Sequence, residues 1–425
     1  MQKDWLILQR KQVIMMGYDF LTLDDVEVKN KVVLARVDIN CPIDPATGLI
    51  TNDERIKLHA ATTLKELRDK GAKTVVLSHQ GRPGDNEFIS LQQHAELLKK
   101  YLGNHIQFVD DIFGSNAKEH IKKMNPGDIL VLENVRFFSE ETLERPADVQ
   151  AHCILVKALA AVSDLFVNDA FAAIHRSQPS LVGFGEMLPT VAGRVVEKEI
   201  AALQKILVQP QRPIVYLLGG VKVKESLKVI KNLMKQNQAD VILTGGILGN
   251  LFLAAKGYDL GPISLEVLQG KEILPLLPQA KELIEKYGDK IETPVDVAVK
   301  KQEERIEVRV AKLPTPYIIS DIGRETVGRY SKILEDAKTI VINSPMGRFE
   351  IPGFEYGTYA LLEKVSCENA YTVVGGGHSA KVVADMGIAE KFSHVSIGGR
   401  ATLYYLSGEK APVMQMLQKA KQRVK

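Results

Sequence analysis

Residues 31–40 read KVVLARVDIN, and that stretch decides the class of fold. Val32, Val33, Leu34 and Ala35 follow one another without the polar alternation of a strand that is wet on one face. Such a run suits a parallel strand buried on both sides, and a strand is predicted over 32–39. Asp38 and Asn40 stand at its carboxyl end, where open α/β sheets hold their ligands. The pattern recurs. In the first half, runs at 74–78, 106–109, 129–133 and 165–168 read as strands; in the second, 214–218, 241–244, 316–319, 339–343, 371–374 and 394–397. Amphipathic helical stretches lie between them, such as 55–70, 91–101, 151–162 and 226–236. Repeated strand–helix alternation predicts the α/β class with open parallel sheets.

With 425 residues and 45% hydrophobic content the chain is long enough for two cores. A helix predicted over 193–208 ends at the break QPQRP, and a new strand, IVYLL, comes at once after it. The expected organisation is two Rossmann-like parallel-sheet α/β/α domains, 20–196 and 214–408, joined by a hinge helix within 197–213. Residues 1–19 read as an N-terminal extension, with Met15 or Met16 as alternative starts, and 409–425 as a basic C-terminal helix. No repeat period is visible.

The net charge is +3, from 55 basic and 52 acidic residues, without a dense basic block. Nucleic-acid and membrane-surface partners are therefore not expected. No apolar run approaches the roughly 20 residues that span a bilayer. Cys41, Cys153 and Cys367 lie far apart without CxxC spacing. They predict buried, reduced thiols in a cytoplasmic protein rather than a disulfide framework or metal cluster.

Function is read at the carboxyl end of each strand. In the first half these positions are polar: Asp38, Ile39 and Asn40; His79, Gln80, Gly81 and Arg82; Glu133 to Arg136; Asn168 and Asp169, with His175 and Arg176 beyond and Arg55 opening a helix. Arginine's planar fork binds two oxygens at once, so this set predicts a pocket for a small carboxylate or phosphate. In the second half the same positions are glycines: Gly219 and Gly220, Gly245 and Gly246, Gly323, Gly347, Gly375 to Gly377, Gly398 and Gly399. Glycine lets the backbone approach a phosphate, and N–H groups at the next helix start point at it. Any one of these arginines alone is a solvated surface residue, and a lone glycine a turn former. Their recurrence in both halves favours sites. His59, His94, His105, His120 and His152 are read as structural or surface residues.

No G-x-x-x-x-G-K-[ST] motif is present, which excludes a P-loop. Residues 375–380, GGGHSA, match G-x-G-x-x-A and raise a dehydrogenase reading that predicts NAD binding. The acidic residue which that reading needs at the next strand end is replaced by Gly398, Gly399 and Arg400.

The segments ARVDINCP, NDERI, SHQGRPG, LENVRF, NDAF with HR, EKEI, LLGGVKV, TGG, DIG, SPMGRFE, VVGGGH and HVSIGG resemble, in order, the blocks of phosphoglycerate kinases. They run from about residue 20 to about residue 405, and RVDIN, SHQGRP, NDAF and PMGRFE are the most specific. The histidine of GGGH resembles the archaeal branch. The resemblance implies reversible phosphoryl transfer between 1,3-bisphosphoglycerate and ADP, giving 3-phosphoglycerate and ATP, with Mg2+ and a monomeric enzyme. It implies that Asp38 and Asn40 hold the glycerate, that Arg55 is the main catalytic arginine, and that His79, Arg82, Arg136 and Arg176 grip the substrate phosphate with His175 nearby. Lys222 would meet the transferring phosphates. Glu350 would take the ribose, Asn343 and Pro345 would border the adenosine, and Gly376, Gly377, His378 and Ser379 would line the phosphate end. Ile39, Gln80, Gly81, Gly219, Gly220, Gly245, Gly323, Gly398 and Gly399 complete the implied site. The C-terminal helix would pack back on the first domain.

Three positions depart from the family pattern. Ser226 stands where many members carry a second lysine, His378 where an Asp holds the metal, and Arg400 where a third glycine follows Gly398 and Gly399. Ser226 and Arg400, with Ile397 before the same glycines, motivate an alternative, a non-catalytic homologue that binds phosphometabolite and nucleotide without turnover.

Overall fold

The opening apolar run forms β1 (Val32–Arg36) at the heart of a six-stranded sheet. The computed structural model describes residues 18–424; Met15, Met16 and the expected extension before residue 18 lie outside the described residues. The chain divides into two compact units, one ending at Ala201 and taking in the C-terminal segment from Lys410, the other spanning Ala202–Glu409.

In the first unit β1 is joined by β2 (Lys73–Leu77), β3 (Ile106–Val109), β4 (Ile129–Leu132), β5 (Leu165–Asn168) and β6 (Thr190–Ala192). The order is β3-β4-β2-β1-β5-β6, with every pairing parallel. Val33, Leu34 and Ala35 are wholly buried, as the unbroken run predicts. The connection from β1 runs to β2 on one side and that from β5 to β6 on the other, so the direction of connection reverses between β1 and β5. Ligands collect at the carboxyl ends beside such a switch point. The register sets Arg36 opposite both Leu77 and Asn168, so the strand-end residues emerge side by side.

Residues 54–69 form one helical rod, α1: Glu54–His59, a π-helical turn Ala60–Leu64 and Lys65–Asp69. A second helix, α2 (Arg194–Val208), begins in this unit and runs on past Ala201. The C-terminal helix Pro412–Val424 packs in the same unit. Val413 and Leu417 are buried, the Val413 N–H donates to Ile174 O (3.2 Å), and Lys419 pairs with Glu186 at 2.8 Å.

The second unit holds β7 (Ile214–Leu218), β8 (Val241–Thr244), β9 (Ile291–Glu292), β10 (Asp296–Lys301), β11 (Glu304–Arg309), β12 (Ile318–Ile322), β13 (Thr339–Asn343), β14 (Tyr371–Gly375) and β15 (His394–Val395). Its parallel sheet has the order β15-β14-β13-β7-β8-β9, with the switch point between β7 and β13. One expectation is corrected here. The run at 316–319 is not a strand of the open parallel sheet. It begins two residues later, as β12, and pairs antiparallel with β10 in a separate sheet ordered β11-β10-β12. The β10–β11 hairpin turns through Gln302 at φ +53. Two cysteines are buried as expected, but Cys367 is exposed.

Candidate active site

The first unit gathers its predicted polar residues around the carboxyl end of β1. Asp38 is buried, and its Oδ2 lies 3.0 Å from Arg55 Nη1. Arg55 sits in the first turn of α1, so the helix start delivers its guanidinium to the strand end. Burial opposes ionisation of Asp38. The Arg55 guanidinium first, and Arg36 with it, outweigh burial and hold the carboxyl well below the usual carboxylate range. The Asn40 N–H donates to Asp38 Oδ1 (3.2 Å), while Asn40 Oδ1 accepts from the Gly81 N–H (2.8 Å), tying the first two loops together. Arg136 Nη1 donates to Gly81 O.

The cations crowd one another. Burial pushes the Arg136 guanidinium down to about 10, and Arg176, Arg36 and Arg82 push the same way. Burial and then Arg36 hold the His79 imidazolium well below the ordinary histidine range, with Arg136 and Arg176 adding to the effect. Like charges held this close are stabilised by a bound oxyanion. His79, Arg82, Arg136 and Arg176 therefore share one electrostatic pocket with Asp38 and Arg55. His175 adjoins Arg176 at the end of the turn that follows β5.

Not every predicted residue faces that pocket. Gln80 is fully buried and bridges loops: its Oε1 accepts from the Cys41 N–H (2.8 Å) and lies 3.0 Å from His94 Nε2, and its Nε2 donates to Cys41 O (2.9 Å). Ile39 is buried, and its N–H donates to Ser78 Oγ (3.3 Å). Both support the loops rather than point at a ligand. Arg36 was not foreseen as a site residue. Wholly buried in the central strand, it donates from Nη2 to His79 Nδ1 (3.0 Å) and from Nε to Ser180 Oγ (2.9 Å), while Ser180 N–H donates to Glu141 Oε2 (2.9 Å). The signal was available, because a charged residue inside an apolar run must find partners.

The second unit builds a different surface at its switch point. The Gly219 N–H donates to Asn343 O (3.2 Å) and the Gly220 N–H to Pro345 O (3.0 Å), which closes the ends of β7 and β13 together. A Cβ on Gly219 would stand 2.1 Å from Pro345 O, and Gly220 has φ +75, so only glycine fits this junction. Asn343 Nδ2 donates to Gly399 O (3.1 Å), which adds the loop after β15. Four helices start at this edge, Val223–Lys235, Gly246–Ala255, Gly377–Asp385 and Gly399–Leu406, with Lys222, Gly245, Gly376 and Gly398 at their caps. None has a side-chain hydrogen bond at its cap, an arrangement that suits helix starts facing a phosphate chain, although the Gly246 N–H itself donates to Met346 O (2.6 Å). Ser379 is buried in the first turn of its helix beside a small cavity lined by Leu217, Ser344, Met346 and Thr358.

Glu350 is exposed, 3.6 Å from Arg348, and the exposed His378 lies with its ring 5.7 Å from that of Phe349. Gly323 stands apart from the other glycines: it comes after β12 of the antiparallel sheet, and its N–H donates to Asp296 O (3.0 Å). The departures from pattern also have places. Ser226 Oγ donates to Lys222 O (3.1 Å), and Arg400 pairs with Glu225 at 2.8 Å.

Clustered arginines on one unit, and glycine-rich helix starts without side-chain caps on the other, are the features that a phosphotransferase working between an anionic metabolite and a nucleotide requires. The family profile of phosphoglycerate kinases matches residues 23–409, and the chain belongs to that family. It is 46% identical over 406 residues to the phosphoglycerate kinase of Methanothermus fervidus, a match covering 96% of this chain and 98% of that one. Among solved structures, phosphoglycerate kinase from Pyrococcus horikoshii matches with a TM-score of 0.89 at 39% identity, over 95% of this chain and 100% of that chain. The enzyme from Coxiella burnetii matches at 0.78 and 33%, over 96% and 100%. The chain is thus a kinase that transfers phosphate to a carboxyl group, with the archaeal resemblance upheld and nothing in favour of the non-catalytic alternative.

Proposed function

We propose that the pocket around Arg55 binds 3-phosphoglycerate and its acyl phosphate, and that the glycine edge of the second unit binds ATP and ADP. The crowding of Arg36, Arg136 and Arg176 around His79, and of Arg82 against Arg136, carries this reading. Phosphoryl transfer passes through a loose, highly charged transition state, so catalysis is positioning and charge neutralisation rather than covalent chemistry. Asp38 orients Arg55 through their 3.0 Å pair, and Asn40 presents its amide to the glycerate. Arg55 spreads its charge over the oxygens of the transferring group. His79, Arg82, Arg136 and Arg176, with His175, grip the phosphate that does not react. The attacking carboxylate has no proton to lose, so no general base is required.

On the other unit, Lys222 and the helix starts after Gly245, Gly376 and Gly398 neutralise the nucleotide phosphates. Asn343 and Pro345 border the adenosine, Glu350 takes a ribose hydroxyl, and His378 and Ser379 line the phosphate end. Among the described residues no group of three or more His, Cys, Asp or Glu stands together as a metal site. That suits Mg2+ carried in by the nucleotide, because this ion is held largely by phosphates and water. The two ligands are bound on separate units. Transfer therefore needs them brought within reach with water excluded, and α2, which runs from one unit into the other, is the proposed hinge. The enzyme is read as a cytoplasmic monomer.

The test is ATP formation from 1,3-bisphosphoglycerate and Mg-ADP, with Arg55→Ala as control. Turnover in the parent and its loss in the variant is expected. Turnover that survives the substitution would remove Arg55 from the centre of the mechanism.

A further inference from the structure

The helix that carries Arg55 is bonded at several points to the start of α2. Arg55, His59, Thr63 and Glu66 are spaced four, four and three residues apart, so they share one face of α1. The imidazole of His59 is wholly buried. Its Nε2 accepts the Asp38 N–H (3.3 Å), so its proton sits on Nδ1, which lies 3.0 Å from Asp169 Oδ2. The other oxygen of Asp169 accepts the N–H groups of Val195 (2.8 Å) and Val196 (3.1 Å), the free donors of the first turn of α2. Thr63 Oγ1, in the π-helical turn, accepts the Arg194 N–H (2.8 Å). One turn further, Glu66 takes the Arg194 guanidinium in a two-pronged pair at 2.7 Å on each side, and Asp24 and Glu197 complete its shell. π-turns within α-helices are frequent at functional sites, and this one lies between the Arg55 end of α1 and the Glu66 end.

We propose that His59, Thr63, Glu66 and Arg194 are positioning residues for the transfer reaction, making α1 a lever that couples the orientation of α2 to the placement of the Arg55 guanidinium. The proposal rests on the role given to Arg55 above. Asp38 lies at one end of this bond chain, against both Arg55 and His59, and the α2 backbone at the other. A displacement of the first turn of α2 cannot leave His59, and with it the Asp38–Arg55 pair, unmoved. Domain motion and acceptor binding thereby share one mechanical path inside the first unit.

The test is a double-mutant cycle in the full-length protein with Arg194→Met, Glu66→Gln and Arg55→Lys, reading kcat, the KM for 3-phosphoglycerate and circular dichroism. Arg194→Met and the gentler Glu66→Gln are expected to lower kcat while KM moves little. In the Arg55→Lys background most of that loss, about tenfold in kcat, should vanish, because residues acting as a unit are not additive. Amide exchange at Val195 and Val196 should also slow when 3-phosphoglycerate binds the parent. A loss that multiplies with Arg55→Lys, or unchanged exchange at Val195 and Val196, would overturn the lever while leaving the role of Arg55 intact. An Arg55→Ala protein that still turns over would instead overturn the reading of the site, and the lever with it.

Discussion

Replacing Arg136 by methionine should stabilise the ligand-free protein and weaken the liganded one. The Arg136 guanidinium is pushed from its ordinary 12.5 down to about 10, by burial first and then by Arg176, Arg36 and Arg82. Below pH 10 the group is charged in both the folded and the unfolded chain, so the full cost of holding that charge is present at neutrality. A shift of that size corresponds to at most ~3 kcal/mol, and to less where the pocket opens to solvent. Against it stands the charged hydrogen bond to Gly81 O, which the methionine loses; such bonds contribute about 1.5–3 kcal/mol. The balance is a gain of ~1 kcal/mol for Arg136→Met without ligand. Saturation with 3-phosphoglycerate reverses the order, since a ligand at a hundred times its Kd adds about 2.7 kcal/mol and the variant binds it weakly. The assay is urea unfolding followed by circular dichroism, with and without 3-phosphoglycerate. The two stability orders should cross. A ligand-free variant less stable than the parent by more than about 1 kcal/mol would show that Arg136 is held for the fold rather than against it.

Particular contacts give three further outcomes. Gly220→Ala forces a side chain into φ +75 with its Cβ 2.8 Å from that of Ser344, at a cost of about 1–2 kcal/mol; the KM for ADP should rise several-fold while that for 3-phosphoglycerate holds, as steady-state kinetics will show. Arg400→Ala breaks an exposed pair with Glu225, so stability should move by no more than about 0.5 kcal/mol and kcat by less than about twofold; a large fall in kcat would place Arg400 in the phosphoryl path. The carboxyl of Glu66 is pushed down to about 2, first by its hydrogen bond with Arg194 and against the effect of burial. Its contribution is present above pH 4.5 and lost as pH falls toward 2. It amounts to ~1–2 kcal/mol after discounting for its partial exposure, and the urea midpoint of Glu66→Gln should fall less steeply over that window.

The parallel strands were legible because burial on both faces leaves a run such as VVLA with no polar alternation, and the structure buries Val33, Leu34 and Ala35 completely. What a linear reading lacks is strand order. That Gly219 and Asn343 meet is a consequence of β13 lying beside β7, a neighbourhood set by crossovers far apart in the chain. The run at 316–319 misled for a related reason: a short apolar stretch has no sign of direction, and β12 pairs antiparallel with β10, itself buried over its first four residues, rather than with the open sheet. The arginines of the anion pocket were legible one by one, since each lies beyond a strand end. Arg36 signalled only that a charge inside an apolar run must find buried partners; that these are Ser180, Glu141 and His79 is set by the fold. His59 shows the same limit from the other side. Alone in a helix it reads as structural, and it is buried as such a residue should be. Only the fold shows that its two nitrogens face Asp38 and Asp169, one beside Arg55 and the other capping α2. A residue can therefore be structural by every local measure and still stand on a bond path from Asp38, beside Arg55, to the start of α2.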